Sequence, residues 1–368
     1  MALSLTRILD RHFYLLSLFS WLFGALLYFA VFVRDGGFGA LDWKITQYFV
    51  SYWDYGFIKR GVVGTIVHPL FSNFDSHSTI PRLFIIIIDF AVFVAFVVIS
   101  NKRLRLIEDN SSRLLLRALL VFSPLGFCQW SFDVGRYDHI ALVLTLSSCF
   151  LLEARRFFAA GMVMIAAVIC HEAAALYGCA IMFILILTLH NNRYETELLN
   201  SLFKSLAPPI FAFCAIIFWG NIEETYQLTY LERTHGGGWS VWGRGALQPA
   251  LHLPIAQYGL NAFYFLLVAI LFYPTLKASA SKWAIIMSIL PILLLFLAGI
   301  DYPRWIHLFF MSCFILILFL PAARTKVMFS LSNSRLQLVS SSLLLIPFGP
   351  IGITAALPYV SSMLKLFF

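Results

Sequence analysis

Residues that could carry out chemistry are concentrated in five short polar motifs, in a chain that is 61% hydrophobic and only 12% charged. Carboxylates and imidazoles can remove protons, while Lys and Arg can hold anions. The motifs therefore suggest a site that handles an anionic substrate. In chain order, their residues are Asp54, Lys59 and Arg60; Asp133, Arg136 and Asp138; His171 and Glu172; Arg233, His235 and Arg244; and Asp301 and Arg304.

The first motif, YWDYGFIKRGVVG, places one carboxylate within six residues of a basic pair. Asp54 could act as a general base that deprotonates a hydroxyl group. Lys59 and Arg60 could hold phosphate oxygens, Arg through a bidentate contact and Lys as a point charge. The alternative is an ordinary turn beside a membrane, with a solvated basic pair.

The second and third motifs supply two further acids that could serve as the base. In FDVGRYDH, Asp133 and Arg136 are spaced to pair on a helical turn, and Asp138 stands at the mouth of an apolar segment. In CHEAAALYG, Glu172 could bind sugar hydroxyls or act as a base beside His171. The alternative in each case is a structural ion pair or a buried hydrogen bond.

The fourth and fifth motifs add donors and aromatic rings. ERTHGGGWSVWGR has three consecutive glycines and two tryptophans, so it resembles a mobile loop that closes over a glycan. Arg233, His235 and Arg244 would be its hydrogen-bond donors. In GIDYPRW, Asp301 and Arg304 precede an apolar segment, and Arg304 could contact a pyrophosphate. Interfacial tryptophans and a helix cap are the structural alternatives.

No motif has the spacing of a metal site. The zinc-protease pattern HExxH is absent, because position 175 is Ala and not His. The six cysteines lie in or beside apolar segments without a CxxC pair, which indicates small buried residues. We therefore expect no metal and no other cofactor.

The composition predicts an all-α fold, a polytopic transmembrane helical bundle that forms one integral membrane domain over residues 1–368. The mean hydropathy is +0.86, and many apolar runs approach the length of a membrane span. These runs do not alternate polar and apolar residues, which excludes a membrane β-barrel. We attribute the net charge of +8 to membrane topology and expect no nucleic-acid partner.

The apolar runs predict about eleven spans with the N-terminus inside. This arrangement places 16 of the 26 Lys and Arg residues in inner loops, in agreement with the positive-inside rule. It also places all five motifs at the outer face, where residues 34–82 and 221–256 form two long outer loops. Asp89 is the one acid well inside a span, where a carboxylate has either a functional role or a helix–helix hydrogen bond. We favour the hydrogen bond, for which the sequence identifies no partner. The predicted spans are 13–33, 83–100, 114–130, 139–153, 157–171, 173–190, 205–220, 257–275, 283–300, 306–322 and 338–358.

The arrangement resembles the membrane glycosyltransferases of the GT-C type, and most closely the repeat-unit polymerases of bacterial O-antigen and capsule pathways, the Wzy-like proteins. The segments with this resemblance are DxGxxKRGxxG from Asp54, DxGRxD from Asp133 and DxxRW from Asp301. It implies a GT-C-like fold and an active site that faces the periplasm of the bacterial inner membrane. It also implies a catalytic acid in the first outer loop, the place that Asp54 occupies.

The resemblance and the motifs together predict a polysaccharide polymerase. Its donor and acceptor would be glycans linked to undecaprenyl pyrophosphate in the lipid bilayer, and a chain-length regulator would be a further partner. One alternative is a GT-C transferase that adds a single sugar from a polyprenyl-phosphate donor. The other is a flippase for lipid-linked oligosaccharides.

Overall fold

A computed structural model describes residues 2–36, 44–74, 78–190, 196–220, 255–279, 302–320 and 335–346, with a few positions between 286 and 295. Throughout these ranges the regular structure is helical, and no β-strand occurs in them. The all-α prediction is thus confirmed for the described part of the chain. A 3-10 turn, Gln47–Phe49, lies between the first two helices. The helices are α1 (Ala2–Gly36), α2 (Tyr52–Tyr55), α3 (Gly61–Phe71), α4 (Thr79–Leu104), α5 (Asn110–Phe122), α6 (Phe127–Phe132), α7 (Tyr137–Glu153), α8 (Phe157–Cys170), α9 (Ala174–Leu189), α10 (Thr196–Trp219), α11 (Ile255–Ser279), α12 (Tyr302–Phe319) and α13 (Arg335–Leu344).

Five helical segments in the described ranges are long and apolar enough to cross a membrane. They lie in α1, in α4, across α5 and α6 together, in α10 and in α12. Helices α7, α8 and α9 coincide with three predicted spans, but they have only 17, 14 and 16 residues. At about 1.5 Å per residue they are shorter than a hydrocarbon core of roughly 30 Å. The total of eleven spans therefore stays a prediction.

Helix α12 is the central element of the described bundle. Its apolar stretch is 94% buried, and that of α5 and α6 is 83% buried, whereas that of α10 is only 22% buried. Large apolar side chains such as Phe211, Phe218 and Trp219 are exposed on α10. Exposed apolar surface of this extent is typical of a helix that faces lipid.

The charged residues at the two ends of the bundle form separate networks. At the end predicted to face inward, Arg103 at the C-terminus of α4 pairs with Glu153 at 2.6 Å. Arg117 on α5 pairs there with Asp10 and donates to Asn101 at 2.8 Å. Asp138 of the second motif, which is predicted to face outward, lies at the opposite end of α7 from Glu153. This separation follows from the alternating direction of the helices.

The first motif folds into a compact unit of α2 and α3 within the predicted outer loop 34–82. The backbone N–H of Tyr52 donates to Thr65 Oγ1 at 2.7 Å, and the Tyr52 ring lies against Gly61. Gly64 lies directly against the carbonyl of Val50. These glycines allow close approach of the chain to itself.

We expect Gly64→Ala to lower the free energy of unfolding by about 1–3 kcal/mol, because the added methyl group would overlap Val50. The matched control is Gly259→Ala on α11, where an added methyl group meets no atom of the described residues within 4 Å. Denaturant titration of both purified variants measures the difference. Equal stability of the two would contradict the close contact between α3 and Val50.

Candidate functional site

A bidentate ion pair joins the first and third motifs. Arg60 precedes α3, and Glu172 lies in the turn between α8 and α9. Arg60 Nε donates to Glu172 Oε2 at 2.8 Å, and Arg60 Nη2 donates to the other carboxylate oxygen. The side chains are only 17% and 10% exposed. A parallel pair of charge-assisted hydrogen bonds fixes the guanidinium plane.

A second pairing joins the second, third and fifth motifs. Asp138 lies in the first turn of α7 and is buried. Its Oδ2 lies 3.3 Å from Arg304 Nε on α12, and its Oδ1 lies 3.4 Å from His171 Nδ1. Asp138 is therefore held between two helices and the turn that carries Glu172.

A third pairing lies within the second motif. Asp133 Oδ1 is 3.2 Å from Arg136 Nε, as the i,i+3 spacing predicted, and Gln129 donates to Asp133 Oδ2 at 2.9 Å. Lys44 donates nearby to the carbonyl of Phe132 at 3.3 Å. Burial would raise the pKa of Asp133, but Arg136 and Lys44 more than offset it, so this pKa lies below the usual value. The carboxylate is therefore ionised at neutral pH.

These pairs form one contiguous group, which we call the outer charge cluster. Arg136 is close enough to act electrostatically on both Arg60 and Asp138, and Lys59 acts on Glu172. The structure thus brings together four of the five motifs. Arg233, His235, Arg244 and Asp301 lie outside the described residues. The cluster consists of Lys59, Arg60, Asp133, Arg136, Asp138, His171, Glu172 and Arg304.

The electrostatics of the cluster keep Glu172 ionised. Burial would raise the pKa of Glu172, but Arg60, His171 and Lys59 together place it well below the usual value. In the opposite direction, burial lowers the pKa of the Lys59 ammonium, although Glu172 opposes this effect. A carboxylate with such a low pKa is a weak base at neutral pH. Glu172 is thus better suited to hold Arg60 than to accept a proton.

Two nitrogen atoms of cationic side chains at the edge of the cluster can still donate hydrogen bonds to a ligand. Lys59 Nζ and Arg60 Nη1 make no hydrogen bond or ion pair with any residue that the structure describes. The Lys59 backbone N–H donates to the carbonyl of Gly220 at 2.9 Å, directly after α10. The predicted second outer loop, which begins at residue 221, therefore starts beside this basic pair.

Two tyrosines beside the cluster were not among the site residues predicted from the sequence. The hydroxyls of Tyr137 and Tyr177 are buried and have no hydrogen-bond partner among the described residues. Tyr177 is close enough to Asp138 for electrostatic interaction, and Tyr137 to Arg60. Buried hydroxyls are usually hydrogen-bonded, so these two are suited to a polar ligand. The signal in the sequence was the position of Tyr137 between Arg136 and Asp138.

Asp89, which has no partner predicted from the sequence, pairs with a histidine on the neighbouring helix. Asp89 Oδ1 lies 2.6 Å from His139 Nδ1, and both side chains are almost fully buried. The His139 ring stacks on Trp130, with ring centroids 4.4 Å apart. The pair joins α4 to α7 directly below the outer charge cluster, which agrees with the predicted helix–helix hydrogen bond.

Asp54 lies apart from the cluster. Its side chain is 45% exposed, accepts a hydrogen bond from Ser51 Oγ at 2.5 Å and lies 3.4 Å from His68 Nε2. Asp138 and Glu172 are by contrast enclosed by cations. Of the three predicted bases, Asp54 is thus the one that solvent and a substrate can reach. In the described ranges, no three His, Cys, Asp or Glu residues are grouped to hold a metal ion.

Comparison of the chain with models of protein families, with curated proteins and with solved structures gives no match. The resemblance to GT-C enzymes therefore rests on the sequence motifs alone. What the structure adds independently is the fold of the described ranges, an all-helical assembly with membrane-spanning helices, and the convergence of four motifs within it.

We expect Glu172→Gln to lower the free energy of unfolding by about 3 kcal/mol, because it leaves the Arg60 guanidinium buried without its anion. The double variant Arg60→Gln with Glu172→Gln should recover most of this loss, since no buried charge is then unpaired. Denaturant titration of the purified single and double variants gives the coupling energy. Additive losses would contradict a direct ion pair.

Proposed function

We propose that this protein is an inner-membrane glycosyltransferase that joins undecaprenyl-pyrophosphate-linked repeat units into a surface polysaccharide. The observation that carries the proposal is the basic pair at the edge of the outer charge cluster. Glu172 fixes the Arg60 guanidinium through Nε and Nη2, and Nη1 and the adjacent Lys59 ammonium have no partner among the described residues. A pyrophosphate offers acceptor oxygens that suit both groups.

The placement of this pair supports a lipid-linked substrate. The Lys59–Arg60 segment contacts the C-terminal end of α10, the helix whose apolar side chains are most exposed. In a bilayer, the hydrocarbon part of the substrate would lie along such apolar helices, and its headgroup would reach the charged end of the bundle. Because the positive-inside rule disfavours cations at this end, a ligand role also accounts for their presence.

The proposed reaction needs a base for the acceptor and a cationic site for the leaving group. A hydroxyl of one glycan loses its proton and attacks the anomeric carbon of the other, which expels the polyprenyl pyrophosphate. Lys59 and Arg60 would stabilise the charge on this leaving group, usually the larger contribution to such a reaction. Because the leaving group is already an anion, no general acid is required.

The remaining polar groups support the sugar end of the site. Tyr137 and Tyr177 offer buried hydroxyls without partners among the described residues, as donors to sugar hydroxyls. Arg304 lies over the Trp305 ring at 4.0 Å while it pairs with Asp138, so the far side of the cluster is held rigid. Side chains that are held in place by such contacts can position two substrates for reaction. The exposed Asp54 would serve the acceptor hydroxyl.

A strain that lacks this protein should show surface polysaccharide collapsed to a core with one repeat unit on a gel. Wild-type protein should restore the full ladder, and Asp54→Asn should not restore it at equal protein level, because the carboxylate that serves the acceptor hydroxyl is lost. A ladder of normal length with altered sugar composition would instead favour the single-sugar transferase. Complete absence of repeat units would favour the flippase.

The double variant Arg60→Gln with Glu172→Gln should remain folded but yield less than a tenth of the wild-type polymer, because the fixed guanidinium is lost. The matched control neutralises the inner ion pair, Arg103→Gln with Glu153→Gln, and should retain normal polymer. Gel profiling with immunoblots for protein level measures both. Full ladders from the outer double variant would refute the role of Arg60 in phosphate binding.

A further inference from the structure

The face of α3 that packs on α2 carries His68, which is not among the site residues predicted from the sequence. Gly61, Thr65 and His68 lie at i, i+4 and i+7, so they form one stripe along the helix. Tyr52 contacts the first two members of this stripe, and Asp54 lies 3.4 Å from the third. The packing of α2 on α3 therefore brings the predicted catalytic acid to His68.

The surroundings of Asp54 and His68 form an ordered chain of polar groups. Ser51 Oγ donates to Asp54 Oδ2 at 2.5 Å, and the same oxygen faces His68 Nε2. His68 Nδ1 has no hydrogen bond to any residue that the structure describes. A carboxylate beside Nε2 favours the tautomer with the proton on that nitrogen, which leaves the lone pair on Nδ1. The side chain is 32% exposed, so a substrate can reach it.

We propose that His68, oriented by Asp54, is the general base of the transfer reaction. The assignment rests on the proposed glycosyltransferase function and changes the role of Asp54 from base to positioning residue. A nucleophile, a base and a carboxylate that orients the base recur in enzymes that activate hydroxyl groups. Here the nucleophile is the acceptor hydroxyl of the substrate.

The proposed step balances without another reactant. His68 Nδ1 takes the proton of the acceptor hydroxyl, and the oxygen forms a bond to the anomeric carbon of the donor. The bond from that carbon to the phosphate oxygen breaks, and its electron pair leaves with the polyprenyl pyrophosphate. Asp54 stabilises the imidazolium that results, and the proton then passes to solvent because the pair is partly exposed.

The length of α3 suits these two tasks. Arg60 stands before the first turn of α3, and His68 lies eight residues further on, a rise of about 12 Å. A phosphate held by Arg60 and Lys59 at one end and an acceptor hydroxyl at the other would leave the anomeric carbon between them. The same helix therefore connects the leaving-group site to the proposed base.

Groups on the elements that contact α3 do not compete with His68 for protons near neutral pH. Burial raises the pKa of Tyr52 on α2 to about 12, and burial with Asp89 raises the pKa of Tyr48 in the 3-10 turn well above its usual value. Glu172 and Arg60, at the N-terminal end of α3, are paired with each other. Cys170 at the end of α8 is a buried thiol.

The test compares polymerisation rates of membranes that contain wild type, His68→Gln or the control His190→Gln, between pH 5.5 and 8. The substrate is the undecaprenyl-pyrophosphate-linked repeat unit extracted from the deletion strain. Gln can still donate to Asp54 but cannot take a proton, so His68→Gln should be about 100-fold slower and lack the acid limb that wild type shows. His190 contacts Ser201 at 3.2 Å near the opposite end of the bundle, so its variant should match wild type.

The outcomes separate the two proposals. Wild-type polymerisation together with a His68→Gln rate within threefold of wild type, or with an unchanged acid limb, would overturn the role of His68 and leave the proposed function standing. No polymer from wild type under any condition would overturn the proposed function, and with it the reaction assigned to His68. A slow His68→Gln variant without the acid limb supports both.

Discussion

The structure depends on the pairing of opposite charges inside an apolar bundle. A charge in such surroundings loses its hydration, so its burial is tolerated only beside a counter-ion with good geometry. At one end of the bundle, Arg60 holds Glu172 through two hydrogen bonds, Arg304 lies 3.3 Å from Asp138, and Arg136 donates to Asp133 at 3.2 Å. The first two pairs are also cross-links between segments more than 100 residues apart, whereas the third lies within one turn. The same interactions that hold these helices together therefore also position the cations of the site.

The pairing divides the predicted site into two parts with different properties. In the outer charge cluster the acids are enclosed and paired with cations. This part carries cationic groups at its edge, so it is suited to binding an anion. On α2 and α3 the carboxylate of Asp54 is exposed and lies beside a histidine, so this part is suited to proton transfer. The proposed transfer of a sugar from a phosphate would use both kinds of group at a fixed separation. The acids of the two parts differ in their suitability for binding or proton transfer because they differ in burial, and not because they differ in residue type.

Much of the fold class could be predicted from the sequence, because apolar length is a strong signal for helices in a membrane. The convergence of the motifs was also predictable, since the predicted topology places their cations on the face that the positive-inside rule disfavours, which calls for a common reason. Individual partners were not predictable: Glu172 pairs with Arg60 and His139 with Asp89 through packing that no local spacing encodes. The glycines of the first motif permit the packing of α2 and α3. His68 could not be identified from the sequence, because its contact with Asp54 depends on that packing.

We propose that the basic pair at the edge of the outer charge cluster recognises a pyrophosphate on a lipid. Binding of undecaprenyl pyrophosphate and of undecaprenol to the purified protein in lipid nanodiscs, measured for wild type and for Lys59→Gln, tests this recognition. We expect wild type to bind the pyrophosphate at least tenfold more tightly than the alcohol, and Lys59→Gln to lose most of this preference. Equal affinity of wild type for the two lipids would contradict it.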